Sequence, residues 1–213
     1  MKRLILILGV FLIIILAVQA LSAWRMSDLS NIESTKNIIP KLQNISLQNK
    51  GAGTGNQYQE FIDSEGKFQI EYPANWLGVN SAEILAALTP PEWAEKYDLK
   101  TLFLAQDFQG GKFAQLIIYN GTFNMPIEEI FNKKIEINED QGWKIEIINS
   151  QTQEKEGIFE TKYQRDTNTT LLIKEKILTS DNRSYLISIT AMEKDWSSLE
   201  ADIDKILDSA KIK

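Results

Sequence analysis

Gly66-Lys67-Phe68-Gln69-Ile70-Glu71-Tyr72-Pro73-Ala74-Asn75-Trp76 is the stretch on which the reading of this chain turns. Phe68, Ile70 and Tyr72 alternate with Gln69 and Glu71, the period-two mark of a strand with one buried face. Pro73 has no N–H to give a ladder and ends the run. Just upstream, Tyr58 to Ile62 is another β-prone run, and Asp63-Ser64-Glu65-Gly66 between the two is turn-forming. Strands joined so closely are expected to pair antiparallel. The aromatic end of the stretch carries two readings. Tyr72 and Trp76, together with Trp196 far downstream, are candidates for an aromatic binding lip, since Trp and Tyr concentrate binding energy. The bland alternative is a strand end whose tryptophan plugs the sheet against a helix, the commoner use of large aromatics.

Working outward, Ser81 to Leu88 reads as a helix through Ile84, Leu85 and Leu88, stopped by Pro90-Pro91. A short turn is expected from Pro91 through Tyr97. Strands follow at Thr101–Gln106 and Phe113–Tyr119, around Gly110-Gly111. Pro126 opens a helix that sets Ile127, Ile130, Phe131 and Ile135 on one face. Glu128 and Glu129 in its first turn, with Lys133 and Lys134 further along, suit the macrodipole, and Gly142 closes the unit. Three or four strands come next, over Trp143–Ile148, Glu156–Tyr163, Leu171–Leu178 and Ser184–Thr190. The last element is a helix with Leu199, Ile203, Ile206 and Leu207 as its buried stripe, and Ser197 with Glu200 fits a capping box at its start. This order implies an α+β fold: an α/β/α sandwich whose central antiparallel sheet has about six strands.

Three places resemble the PsbP family, named for the extrinsic photosystem II subunit and containing bacterial relatives of other function. They are Phe61-x-Asp63 with the Gly66–Trp76 stretch, the strand Ser184 to Ala191, and Trp196 leading into the closing helix that ends Ile206-Leu207-Asp208-Ser209. Together they bracket residues 58–210, and "Tyr-Pro, two residues, Trp" after a strand is the distinctive part. The resemblance implies an antiparallel sheet flanked by helices and a non-enzymatic accessory or binding role. The aromatic that ends the family's closing "Ser-Phe" is Ala210 here, and members that hold metal through histidine have no counterpart in a chain without histidine.

The N-terminus carries a different signal. Met1-Lys2-Arg3 precedes Leu4 to Val18, a run without charge or hydrogen-bonding side chain. This is a basic n-region and an apolar h-region, whose basic end stays in the cytoplasm while the rest crosses. Val18-Gln19-Ala20 and Leu21-Ser22-Ala23 both resemble signal-peptidase sites, so cleavage after Ala20 or Ala23 would give a secreted or periplasmic protein. Alternatively Leu4 through Trp24, at about 1.5 Å per residue, spans a hydrocarbon core of about 30 Å. Leu4, Phe11 and Leu16 then lie within the anchor, and Trp24 sits at the interface. Either fate places the following domain outside the cytoplasm. Residues 25–57 are polar and end in Gly51-Ala52-Gly53-Thr54-Gly55, which reads as a spacer before a domain at 58–213.

Composition narrows the chemistry. The chain has 213 residues, no cysteine and no histidine, and a formal net charge of −6. Acidity without a basic stripe argues against nucleic acid as a partner. Without cysteine there are no disulfides or thiolate metal sites; without histidine the usual general base and zinc ligand are gone. Glu136, Glu139 and Asp140 cluster after the Pro126 helix, and Glu200, Asp204 and Asp208 recur four apart on the last helix. Either set offers oxygen ligands for calcium, though such acids on a helix are usually a solvated face. No Gly-rich phosphate loop, Gly-x-Ser-x-Gly elbow or His-Glu-x-x-His is present. Asn44, Asn120, Asn168 and Asn182 each begin an Asn-x-Ser/Thr triplet. The expectation is a non-catalytic module that supports a protein partner at the membrane, with no cofactor. An extracytoplasmic carrier of a small apolar ligand and a histidine-free hydrolase are the alternatives.

Overall fold

The computed structural model describes residues 57–79, 81–107, 112–165, 170–180 and 183–213. The apolar segment with Leu4, Phe11, Leu16 and Trp24, and the spacer up to residue 56, lie outside the described residues, as do Asn44, Asn168 and Asn182. Among the described residues no helix is long and apolar enough to cross a membrane.

The elements run β1 (Tyr58–Ile62), β2 (Phe68–Pro73), β3 (Leu77–Val79), α1 (Ala82–Leu88), α2 (Pro91–Tyr97), β4 (Lys100–Asp107), β5 (Ala114–Gly121), α3 (Ile127–Asp140), β6 (Lys144–Thr152), β7 (Glu156–Gln164), β8 (Thr170–Ser180), β9 (Arg183–Met192), α4 (Glu193–Trp196), α5 (Glu200–Ser209) and β10 (Lys211–Ile212). The strands form two antiparallel sheets. One has three strands in the order β1-β2-β10, the other seven in the order β3-β4-β5-β9-β8-β7-β6. The expectation of one central sheet with about six strands is corrected here. The β1–β2 hairpin leaves the main sheet and becomes a covering layer of its own beside α5.

Chemistry at the hairpin turn explains that docking. Asp63 accepts the backbone N–H groups of Lys67 and Phe68 through Oδ1, at 2.7 and 3.0 Å. Gly66 supplies the left-handed residue of the turn, at φ 68°. The other carboxylate oxygen of Asp63 accepts the Tyr185 hydroxyl at 3.2 Å, and the Phe68 ring stacks on Tyr185 with centroids 4.5 Å apart. Glu65 bridges Lys67 and Arg183. A buried carboxylate with every bond placed thus pins the hairpin to β9. Phe68, Ile70, Tyr72 and Trp76 then enter one core with Leu116, Ile118, Ile187 and Ile189 of the sheet and Ile203, Ile206 and Leu207 of α5.

The closing helix begins differently from the capping-box expectation. Helix α5 starts at Glu200 behind Leu199, and no side chain caps it. Trp196 and Leu199 are both buried, and the chain turns tightly between them, with Leu199 N–H donating to the Trp196 carbonyl at 2.8 Å. The Ser198 hydroxyl donates back to the Asp195 carbonyl at 2.7 Å. Burial of two apolar anchors outweighs a cap here, a cap being worth about 1 kcal/mol. Strands β3 and β10, of 3 and 2 residues, were not expected; runs that short leave no period to read.

Candidate binding site

Residues directly opposite one another in an antiparallel ladder share a face of the sheet. Register therefore assigns the second face of the seven-stranded sheet, the one turned away from the hairpin. Gln115, Thr190, Ile173 and Thr161 form one row across it; Ile117, Ser188, Glu175 and Phe159 form the next; Tyr119, Leu186, Ile177 and Gly157 a third.

Helices cover the two ends of these rows. Helix α3 lies over β7 and β8. Phe131 stacks on Phe159 with centroids 3.9 Å apart, Lys134 pairs with Glu175, and Thr152 donates to Glu128 at 2.6 Å. Approach is so close at Gly157 that a Cβ there would stand 2.6 Å from the Ile127 methyl, so glycine is required. Helices α1 and α2 cover β4 and β5. Thr89 after α1 meets the Thr101 hydroxyl at 2.8 Å, and Trp93 packs edge-on with Tyr97 and with Phe123 beside Gly121. Between the two helical covers runs the row of β9, where Ser188 and Thr190 are half-buried.

A polar strip crosses this face from Gln115 on β5 over Ser188 and Thr190 on β9 to Glu175 on β8 and Thr161 and Tyr163 on β7, and buried polar groups are the informative kind. Glu175 is buried and held by Lys134. Thr161 is buried and its hydroxyl donates to the Ile173 carbonyl at 3.4 Å. Among the described residues two buried side-chain donors have no partner: the Gln115 amide nitrogen and the Tyr163 hydroxyl, on residues 6% and 3% exposed. Each costs about 1–3 kcal/mol as it stands. Burial pushes the Tyr163 hydroxyl well above its ordinary range, with Glu175 and Glu139 adding to the effect. Tyr119 is raised too, again by burial first and Glu175 second. Both phenols therefore stay protonated and act as donors. With the Lys134 charge neutralised by Glu175, the strip asks for hydrogen-bond acceptors rather than for net charge.

The residues singled out in the sequence fall elsewhere. Tyr72, Trp76 and Trp196 are all buried within the hairpin-side core, where they pack as plugs of the sheet. Of the helical acids, Asp204 accepts from Lys174 at 2.6 Å, while Glu200 and Asp208 lie exposed. Among the described residues no three acidic side chains converge on one point, and neither Glu136, Glu139 and Asp140 nor the α5 set is brought together. Asn120 is buried in β5 with its amide directed at the Ser184 carbonyl, which closes that triplet to glycosylation. A surface depression of about 490 Å³ lies between the β6–β7 turn and β10; Glu154, Lys155, Glu156 and Lys211 line it beside Leu178 and Ile212. Its charged lining does not suit an apolar ligand. The strip itself was missed from the sequence, although a signal exists: Lys174-Glu175-Lys176 interrupts the apolar run of β8.

Fold and site together define an α+β domain with two antiparallel sheets and a polar strip on one flank. No protein-family model matches the chain, and no curated protein matches it. Among solved structures it is similar to cyanobacterial PsbP from Synechocystis sp. PCC 6803, at 14% identity and TM-score 0.49, over 76% of this chain and 96% of that one. It is also similar to the Ran-binding protein Mog1p of Saccharomyces cerevisiae, at 13% and 0.48, over 75% and 96%. A third is LpqN of Mycobacterium tuberculosis, involved in cell envelope biogenesis, at 10% and 0.45, over 74% and 92%. A PsbP structure is thus among those the chain is similar to, as the Tyr72-Pro73-x-x-Trp76 stretch led us to expect.

Proposed function

We propose that residues 58–213 form a non-catalytic binding module, held at the outer face of the cytoplasmic membrane by residues 1–24, that supports a protein partner there. The observation that carries the binding role is the pair of unpartnered donors, Gln115 and Tyr163, on the same polar sheet face. An approaching protein segment offers backbone carbonyls, which are the acceptors this strip lacks. Ser188 and Thr190 give such a segment its first footing. Access to the two shut-in donors then needs side-chain rearrangement around them, as interfaces commonly undergo. The membrane placement rests on Lys2-Arg3 followed by the apolar run from Leu4.

The test is a pull-down of the tagged full-length chain from detergent-solubilised membranes, read by mass spectrometry. The parent should hold a stoichiometric partner, and Gln115→Leu with Tyr163→Phe should lose it by about tenfold or more, the equivalent of about 1.4 kcal/mol. A partner held equally by both would remove the strip from the interface. Protease added to intact cells should reach the domain; protection of residues 58–213 would overturn the membrane placement.

A further inference from the structure

The seven-stranded sheet ends on β6, the least covered of its strands. Lys144 and every residue from Glu146 to Gln151 are exposed, and Ile147 and Ile148 stand 50% and 49% open to water. In a regular strand one of two neighbouring isoleucines would turn inward. A bulge between Ile147 and Asn149 prevents that, leaving Ile148 without a register partner on β7. The outcome is an apolar step on a sheet edge that is open among the described residues, an arrangement folded proteins ordinarily avoid.

We infer that a second copy of this chain covers that step, with the two β6 strands antiparallel about a two-fold axis between Ile147 and Ile148. The sequence of the edge is complementary to itself in that register. Each Ile147 faces the other copy's Ile148, Glu146 faces Asn149, Ile145 faces Ser150 and Lys144 faces Gln151. Isoleucine meets isoleucine, both charges meet amides, and no like charges stand opposite each other. The three registers next toward the N-terminal end are worse, setting Glu146 against Ile148, against Ile147, and finally against the other Glu146. An edge complementary to itself suits a second copy of the chain, as an isologous interface requires. An edge-to-edge contact of this length buries well under about 1,000 Å². Confinement of both copies to one membrane, which rests on the tether proposed above, supplies the effective concentration such a contact needs. The polar strip takes no part in it.

The chain has no cysteine, so engineered thiols report the contact cleanly. Full-length chains carrying Glu146→Cys and Asn149→Cys would be mixed in liposomes and mildly oxidised, with Glu92→Cys on exposed α2 as the reference for random encounter. The mixture should cross-link at least about tenfold faster than the reference, and adding Ile148→Lys to both chains should return it to the reference rate. Ile147→Thr should lower the rate as well, and both variants should melt with the parent because the two isoleucines lie outside the core. Cross-linking no faster than Glu92→Cys would overturn the inference, as would indifference to Ile148→Lys. Loss of orientation in the membrane would slow the reference equally, so failure of the tether and failure of the contact are told apart.

Discussion

On the hairpin side of the seven-stranded sheet, Leu116, Ile118, Ile187 and Ile189 are completely buried; on the other side, the intervening residues of the same strands are Gln115, Ile117, Ser188 and Thr190. Strand β8 is mixed on both sides: Leu172 and Leu178 point toward the hairpin together with the ion-paired Lys174 and Lys176, and Glu175 lies between Ile173 and Ile177 on the other side. One backbone thus carries two chemistries. The hairpin face is an apolar jigsaw whose few polar groups, such as Asp63, are fully bonded. The helical face mixes apolar contacts, such as Phe131 on Phe159, with buried polar groups such as Glu175, and two of its donors have no acceptor among the described residues. The lesson is that the character of burial is divided by face rather than by segment.

The sharpest break of that division is a pair of single substitutions one residue apart. Ile187→Ala empties a completely buried site and should cost about 4 kcal/mol in urea unfolding. Ser188→Ala, its neighbour on the opposite face, should stay within about 0.5 kcal/mol. Comparable losses would mean that both faces are structural.

Next in size is the ion pair that crosses from α3 to the strip. Lys134→Met leaves Glu175 buried and unpaired, and we expect a loss of about 3 kcal/mol. Lys134→Met with Glu175→Leu should recover most of it, since a well-packed apolar pair replaces a buried ionic one at little cost. Chemical denaturation of the two variants checks this. A double variant no better than the single would show that Glu175 is needed for more than balancing Lys134.

How much of this was legible beforehand follows from the same division. The alternation Phe68, Ile70, Tyr72 and the stripe Ile127, Ile130, Phe131, Ile135 were readable because burial on one face imposes a period, and all seven residues are buried. The hairpin was readable for a related reason: the turn at Asp63 and Gly66 and the plug at Trp76 have residue-specific jobs. What could not be read was the second sheet, because local pattern shows which strands exist and not which edge they join. The polar strip escaped because Gln115, Glu175 and Tyr163 lie on three strands and are united only by register. Tyr72, Trp76 and Trp196 drew attention as binding candidates through residue type, and the fold places all three in the core.

Alkaline pH tests both faces together. Burial, and then Asp63, raises Tyr185 on the hairpin face to about 12, while Tyr163 and Tyr119 on the other face are raised by burial and Glu175. Above the ordinary tyrosine pKa of about 10 the unfolded chain loses these protons first, so it binds fewer than the folded one. Stability should accordingly be level below pH 10 and fall as pH rises from there through the folded values. Unfolding midpoints across pH 8–12 measure this, and Tyr163→Phe should flatten the fall. A level profile through that range would show that the phenols ionise as readily in the fold as in water.

The smallest expected effect is the most discriminating. Tyr163→Phe removes a hydroxyl that has no partner and keeps the ring against Trp143 and α3. Deleting a bonded buried group costs stability, whereas deleting an orphan relieves a penalty. The substitution should therefore be neutral or stabilising by about 1 kcal/mol, and Gln115→Leu should behave alike. Hairpin-side Tyr185→Phe offers the contrast, because its hydroxyl does serve Asp63 and its loss should destabilise by about 1 kcal/mol. Opposite signs for the two tyrosines would establish that one face is satisfied and the other is waiting for acceptors. Should Tyr163→Phe destabilise as Tyr185→Phe does, its hydroxyl already has an acceptor within the folded domain, and the strip loses its claim to be a binding surface.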